Sequence, residues 1–196
     1  MRAASPFKNL ADYVNAAKAN PGKITMAHTT WGGVGHYAFA MWRKAAGVDI
    51  KFVVLNDVGP TVAATLGGHV DAMTISTVGL LPYIKSGEMR MIAVGDRPPG
   101  YDPAIFPSFT EQGYGKHEPY QKTYLGFYVS SKTPKPLYDK MVAAWQKVAT
   151  DPEVKKKILD LGLTPNYIPP KEYFELLKDK TAVITELINE LGLKMK

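Results

Sequence analysis

The chain has 196 residues, 45% of them apolar and 21% charged, an average balance for a soluble globular protein and enough length for one large domain or two small ones. It contains no cysteine, which excludes disulfides, thiolate catalysis and Cys-based metal sites. The formal charge of +6 would suit an anionic partner, but the lysines are scattered, and the densest cluster, Lys155-Lys156-Lys157, lies in an amphipathic helical stretch without interleaved aromatics, so it reads as a solvated face and no nucleic-acid partner is expected.

No run approaches the roughly 18 apolar residues of a membrane span. Residues 1–6 lack the apolar stretch of a secretory signal, so no signal peptide is read in this chain; for an exported protein it would lie outside these residues. In chain order, Phe7, Leu10, Tyr13, Val14 and Ala17 repeat at helical spacing over 7–19, and Asn20-Pro21-Gly22 ends that helix. Residues 23–27 read as a short buried strand, which runs through His28 into the Gly-rich turn Thr29-Thr30-Trp31-Gly32-Gly33-Val34-Gly35. A helix over 36–46 follows, ended by Gly47, then a strand over 50–55. The turn Asn56-Asp57-Val58-Gly59-Pro60 opens a helix over 61–66. Gly67-Gly68-His69 closes it, and a third strand is expected over 70–75, a helix over 79–85 and a fourth strand over 89–94.

Strand–helix units thus recur three times with short turns between them, the pattern of a doubly wound α/β domain with a mainly parallel sheet. Ligands of such folds bind beyond the carboxyl ends of the strands, which singles out the turns at 29–36 and 56–61. Residues 96–115 read as an irregular crossover, 124–129 as a further strand, and 136–150, 151–161 and 170–191 as helices, with Asp151-Pro152 as a good helix start. Three helices with one strand do not balance an α/β domain, so this tail is expected to need strands from elsewhere.

Several stretches together carry a family resemblance. They are Pro6-Phe7-Lys8-Asn9-Leu10; Ala17 to Ile24; Gly32-x-x-Gly35-His36; Leu66-Gly67-Gly68-His69-Val70-Asp71; Pro82 to Val94; Phe106 to Tyr114; and Gly126, Thr133-Pro134, Asp151-Pro152-Glu153 and Leu161-Gly162-Leu163. Each is weak alone, but their order and spacing over nearly the whole chain resemble the tripartite tricarboxylate transporter receptors, also called Bug proteins. The resemblance implies an α/β fold of the periplasmic binding protein type II kind, a periplasmic receptor whose two domains close on a small carboxylate, and a membrane permease as partner. It maps residues 5–122 to a complete second domain and 123–196 to the returning, mostly helical portion of a first domain whose beginning precedes this chain. A homo-oligomer or an N-terminal partner segment is the expected consequence.

The Gly-rich turn suits an anion, because N–H groups at a helix N-terminus point outward and the helix dipole favours negative charge there. Glycines allow close approach to the backbone, and Thr29 and Thr30 can add hydroxyls. A plain strand-to-helix turn needing Gly for its dihedrals is an equal reading from the residues alone; the resemblance favours binding. Two departures from the family stand out. The family carries Ser or Thr where Gly33 stands, and its Pro-Tyr-Lys-Gly-Gly is here Val54-Leu55-Asn56-Asp57-Val58. Asp57 would repel a neighbouring carboxylate unless it accepts from an amine or hydroxyl, which opens the solute class to hydroxy acids, amino acids and neutral solutes.

The candidate ligand-binding residues are therefore Thr29, Thr30, Trp31, Gly32, Gly33, Val34 and Gly35; Asn56, Asp57, Val58 and Gly59; and Asp71, Thr74 and Ser76. Trp31 is expected to wall the pocket, with packing on a hinge as the alternative. Asp71 either bonds the backbone near its turn, the favoured reading, or lines the cleft. Trp42 and Trp145 are expected in the core and His36 as a structural donor. His28, His69 and His117 have no metal-ligand spacing, and neither metal nor cofactor is expected. An enzyme is the competing class, but there is no G-x-S-x-G elbow or phosphate loop, and Ser76 and Ser86 lack a fitting context. A third reading is a remnant that no longer closes around a ligand.

Overall fold

The computed structural model describes residues 1–115 and 122–190. Helix α1 (Leu10–Ala19) begins where the Asn9 side chain accepts the Asp12 N–H at 2.8 Å, so Phe7 packs from outside the helix rather than within it. Its buried residues, Leu10, Tyr13, Val14 and Ala17, form one face.

Three strands follow: β1 (Thr25–His28), β2 (Lys51–Val54) and β3 (Ala72–Met73). They make a parallel sheet in the order β2-β1-β3, with Thr25 opposite Lys51 and Met26 opposite Ala72. Helix α2 (Val34–Ala46) joins β1 to β2 and ends at Gly47 in the left-handed conformation. Helix α3 (Val58–Leu66) joins β2 to β3. The chain leaves β1 on one side and returns to add β3 on the other, so the winding reverses between β1 and β3. One core cluster, with Tyr13, Phe39, Trp42 and Ile50, and a second, with Val62, Val70, Met73 and Met89, pack on this sheet.

At the amino ends of β1 and β3, the Asp71 carboxylate accepts both the Thr25 N–H (2.8 Å) and the Thr25 hydroxyl (2.7 Å), and Thr25 Oγ1 accepts the Asp71 N–H. This clamp replaces the ladder that a longer β3 would have supplied; the strand expected over 70–75 is only two residues long.

After β3 come a 3-10 turn (Thr77–Gly79) and α4 (Leu81–Lys85). The strand expected over 89–94 does not form. Met89 bridges Arg2 and Val94 bridges Ser108, so its backbone partners are loops rather than a continuous neighbouring strand. Helices α5 (Lys135–Thr150), α6 (Pro152–Asp160) and α7 (Pro170–Glu190) complete the described residues. Asp151 caps α6 through the Glu153 and Val154 N–H groups, as its sequence predicts. The end of α7 lies on α2, with Val183, Ile184 and Ile188 against Tyr37 and Met41.

The strand expected over 124–129 is also absent. The backbone of 123–129 makes no hydrogen bond among the described residues, and Leu125 and Phe127 are 80% and 75% exposed. Trp145, expected in the core, is 38% exposed, edge-on to Phe127. No helix of the described residues is long and apolar enough to cross a membrane.

Candidate functional site

The carboxyl ends of the three strands bring three loops together. Thr29–Gly33 leads from β1 into α2, Leu55–Asp57 leads from β2 into α3, and Thr74–Ser76 leads from β3 into the 3-10 turn. In an open α/β sheet the crevice forms where the winding reverses. Here that place lies between β1 and β3, and His28 ties the two together: its Nδ1–H donates to the Thr74 carbonyl from a buried position. Thr74 N–H in turn donates to Ala27 O at 2.9 Å.

The first turn is built around absent side chains. A Cβ on Gly35 would lie 2.7 Å from His28 Nε2, so only glycine lets the first turn of α2 pass the ring. Gly33 is the N-cap of α2 and makes no side-chain cap bond. A Cβ there would lie 2.6 Å from Thr30 Oγ1, so the Thr30 hydroxyl fills the space of an N-cap side chain. Gly32 has φ +74, a left-handed conformation that glycine adopts without strain. Its N–H donates to His36 Nδ1 at 3.1 Å. His36 is thus an acceptor rather than the expected donor. Its ring lies 4.3 Å from Trp31 and 4.5 Å from Phe52, centre to centre. Burial, then the neighbouring His28 and Arg43, hold its pKa below the ordinary imidazole value. Trp31 is 63% exposed and covers His36 from the solvent side. Val34 contributes the first residue of α2.

The second loop differs. Asp57 caps α3, its carboxylate accepting the Val58 N–H at 2.6 Å, and its carbonyl accepts the Thr61 hydroxyl. The positive end of α3 therefore already carries a negative charge, whereas that of α2 has none. This early cap also starts α3 at Val58 instead of Thr61. Val58 and Gly59 are exposed in its first turn, and Ser76 is exposed at the start of the 3-10 turn without a side-chain cap bond. Asn56 has φ 60, in the left-handed region where Asn is among the few tolerated side chains. Asn56→Gly is expected to be nearly neutral and Asn56→Val to cost about 1–2 kcal/mol in urea denaturation; equal stability of the two would show that the φ value carries no constraint.

Asp71 does not join this group. Its clamp on Thr25 lies at the opposite, amino ends of the strands, because a carboxylate accepting two donors there satisfies the short β3. His28 and His36 are the residues that sequence reasoning left outside the candidate site. Their signals were present: His28 directly precedes the turn, and His36 stands four residues after Gly32. Two depressions, about 400 Å³ beside Arg43 and Val48 and about 420 Å³ beside Phe174 and Thr181, are lined by none of the residues of the turn. No cluster of potential metal ligands occurs among the described residues.

The sequence matches the tripartite tricarboxylate transporter family receptor over residues 1–193. The chain belongs to that family. A UPF0065 protein of Cupriavidus necator is 24% identical over 190 residues, matching 96% of this chain and 57% of its own length. BugT of Bordetella pertussis is 24% identical over 185 residues, 91% of this chain and 54% of BugT. Among solved structures, the periplasmic binding protein BugD superposes with a TM-score of 0.76 at 24% identity, covering 100% of this chain and 65% of BugD. MatC from Rhodopseudomonas palustris, solved with bound malate, gives 0.73 at 21% identity, covering 95% and 64%. These structures share the fold with this chain. The chain spans little more than half the length of those curated relatives. The family is one of solute-binding receptors rather than enzymes.

Proposed function

We propose that this chain is the larger part of an extracytoplasmic receptor that holds a small carboxylate-bearing solute on the α2 turn for uptake through a membrane permease. The observation that carries this reading is the contrast between the two helix starts. At the reversal of winding, α2 presents a glycine-lined N-terminus without a capping charge, while α3 is already capped by Asp57. One carboxylate belongs on α2; a second group that donates, a hydroxyl or an amine, suits the side of Asp57. Thr29, Thr30 and Ser76 are the candidate hydroxyl contacts and Trp31 the candidate wall. The malate of MatC and the adipate of another Rhodopseudomonas palustris protein support a carboxylate class.

In this reading residues 5–122 form one domain and 123–196 part of a second, and the receptor works in the periplasm. The unpaired segment 123–129 favours a second domain completed by strands from outside these residues or from another copy.

Thermal shift with malate, adipate, hydroxy acids, amino acids and neutral solutes tests the proposal. A ligand at 100 times its Kd stabilises the folded state by about 2.7 kcal/mol, so a saturable rise with carboxylates is expected. A cooperative melt that no compound moves would leave the remnant reading in its place.

A further inference from the structure

We infer that His36 is a positioning residue that makes the conformation of the α2 turn depend on pH. The geometry is specific. Gly32 is held at φ +74 and points its N–H at His36 Nδ1 from 3.1 Å. Both ends of this bond are fixed. His36 belongs to the first turn of α2, whose backbone is bonded to Gly33 O through the His36 and Tyr37 N–H groups. Its ring is 5% exposed and lies against Trp31, Phe52 and Tyr37. Only an unprotonated Nδ1 has a lone pair to accept the Gly32 N–H, so the bond selects the neutral imidazole with its proton on Nε2.

Adding a proton turns the acceptor into a donor aimed at another donor. The titratable groups facing the ring are His28 on β1 and Arg43 and Tyr37 on α2, and α7 reaches this region with the apolar Val183, Ile184 and Ile188. The electrostatic neighbours His28 and Arg43 disfavour the charged form and supply no counter-charge for it. Gly32 then has to turn its N–H away from the ring. Trp31, stacked on the same ring, and Gly33, the start of α2, are its chain neighbours and move with it. Acidification therefore unframes the turn. Resting on the proposed role of that turn, the inference adds that solute is held less well in acid.

The test reads the turn directly and needs no solute. In nitrogen-15 NMR of the whole chain, the Gly32 amide is expected to follow a one-proton curve between about pH 8 and 4.5, with its midpoint below the ordinary imidazole value. In His36→Asn, whose side-chain oxygen can take the place of Nδ1 and does not titrate, the Gly32 amide and the Trp31 indole N–H signal in the same spectra are expected to stay flat. A flat Gly32 signal in the unaltered chain overturns the inference. So does an unchanged curve in His36→Asn, which would assign the proton to His28. Binding of whichever solute raises the melting temperature, compared at the two ends of the range in the unaltered chain and in His36→Asn so that protonation of the solute itself cancels, is a separate arm. If Gly32 titrates but no solute of the thermal-shift panel binds, the proposed function fails and the role of His36 stands; if a solute that binds does so equally at both ends while Gly32 titrates, the link to solute is overturned.

Discussion

Gly35→Ala is expected to lower stability by about 3 kcal/mol, combining overpacking of roughly 1–3 with loss of a buried hydrogen bond of roughly 1–3. The added methyl would stand 2.7 Å from His28 Nε2. The ring cannot swing aside cheaply, because it is buried and its Nδ1 is committed to the Thr74 carbonyl. The backbone of α2 cannot retreat either, since its first turn is bonded to Gly33 O. The damage therefore falls on the link between β1 and β3, where the proposed site lies. Urea denaturation of Gly35→Ala, His28→Ala and the double variant gives the coupling between them. The double variant should recover part of the loss, because the ring that obstructs the methyl is gone. A Gly35→Ala protein within about 0.5 kcal/mol of the original would show that the ring relocates freely, and the description of His28 as a strut would be wrong.

The second large effect lies in the core. Trp42 is 3% exposed and sits among Tyr13, Phe39, Phe109 and Tyr114, with ring centres 6.0 to 6.4 Å away. Trp42→Ala is expected to cost about 3–5 kcal/mol through the cavity it leaves. At about 2–4 °C per kcal/mol for a chain of this size, the melting temperature should drop by roughly 10 °C. Trp42→Phe should be far milder, because the buried Nε1–H has no hydrogen-bond partner among the described residues and its removal ends a desolvation cost. If Phe proves as damaging as Ala in calorimetry, the indole N–H has a partner that matters.

The contrast between the two halves of the chain shows what a sequence can disclose. The face Leu10, Tyr13, Val14 and Ala17 identified α1, and the Asp151-Pro152 pair placed the start of α6, because caps and periodicity are local and the residues that create them lie within one turn. Residues 124–129 carry the apolar pattern of a strand equally well, yet form none. Strand formation depends on a neighbour, and the pattern reports side chains without saying whether a neighbour exists. The same holds for 89–94, which met loops, and for Trp145, which the exposed Phe127 covers only edge-on. At the site, the Gly-rich turn was legible because three glycines stand close together, Gly32 for its left-handed φ and Gly33 and Gly35 for want of space beside Thr30 and His28. The roles of His28 and His36 were not, since each depends on a partner fixed only by folding, Thr74 from the loop after the neighbouring strand β3 and Gly32 by the sharpness of its turn. Asp57 carried a second role that the sequence reading did not name: besides opposing a neighbouring carboxylate, it is the cap that begins α3.

The backbone of 123–129, unpaired among the described residues, also bears on how the chain is expected to behave as a colloid. An exposed segment with unpaired backbone and with Leu125 and Phe127 on it invites contact with further copies, and the charge of +6 opposes such contact by mutual repulsion. That repulsion reaches only about one Debye length, which shrinks from roughly 30 Å at 0.01 M salt to about 8 Å at physiological strength, while the attraction of the segment is indifferent to salt. Light scattering is therefore expected to find the chains apart in dilute buffer and associating in ordinary saline.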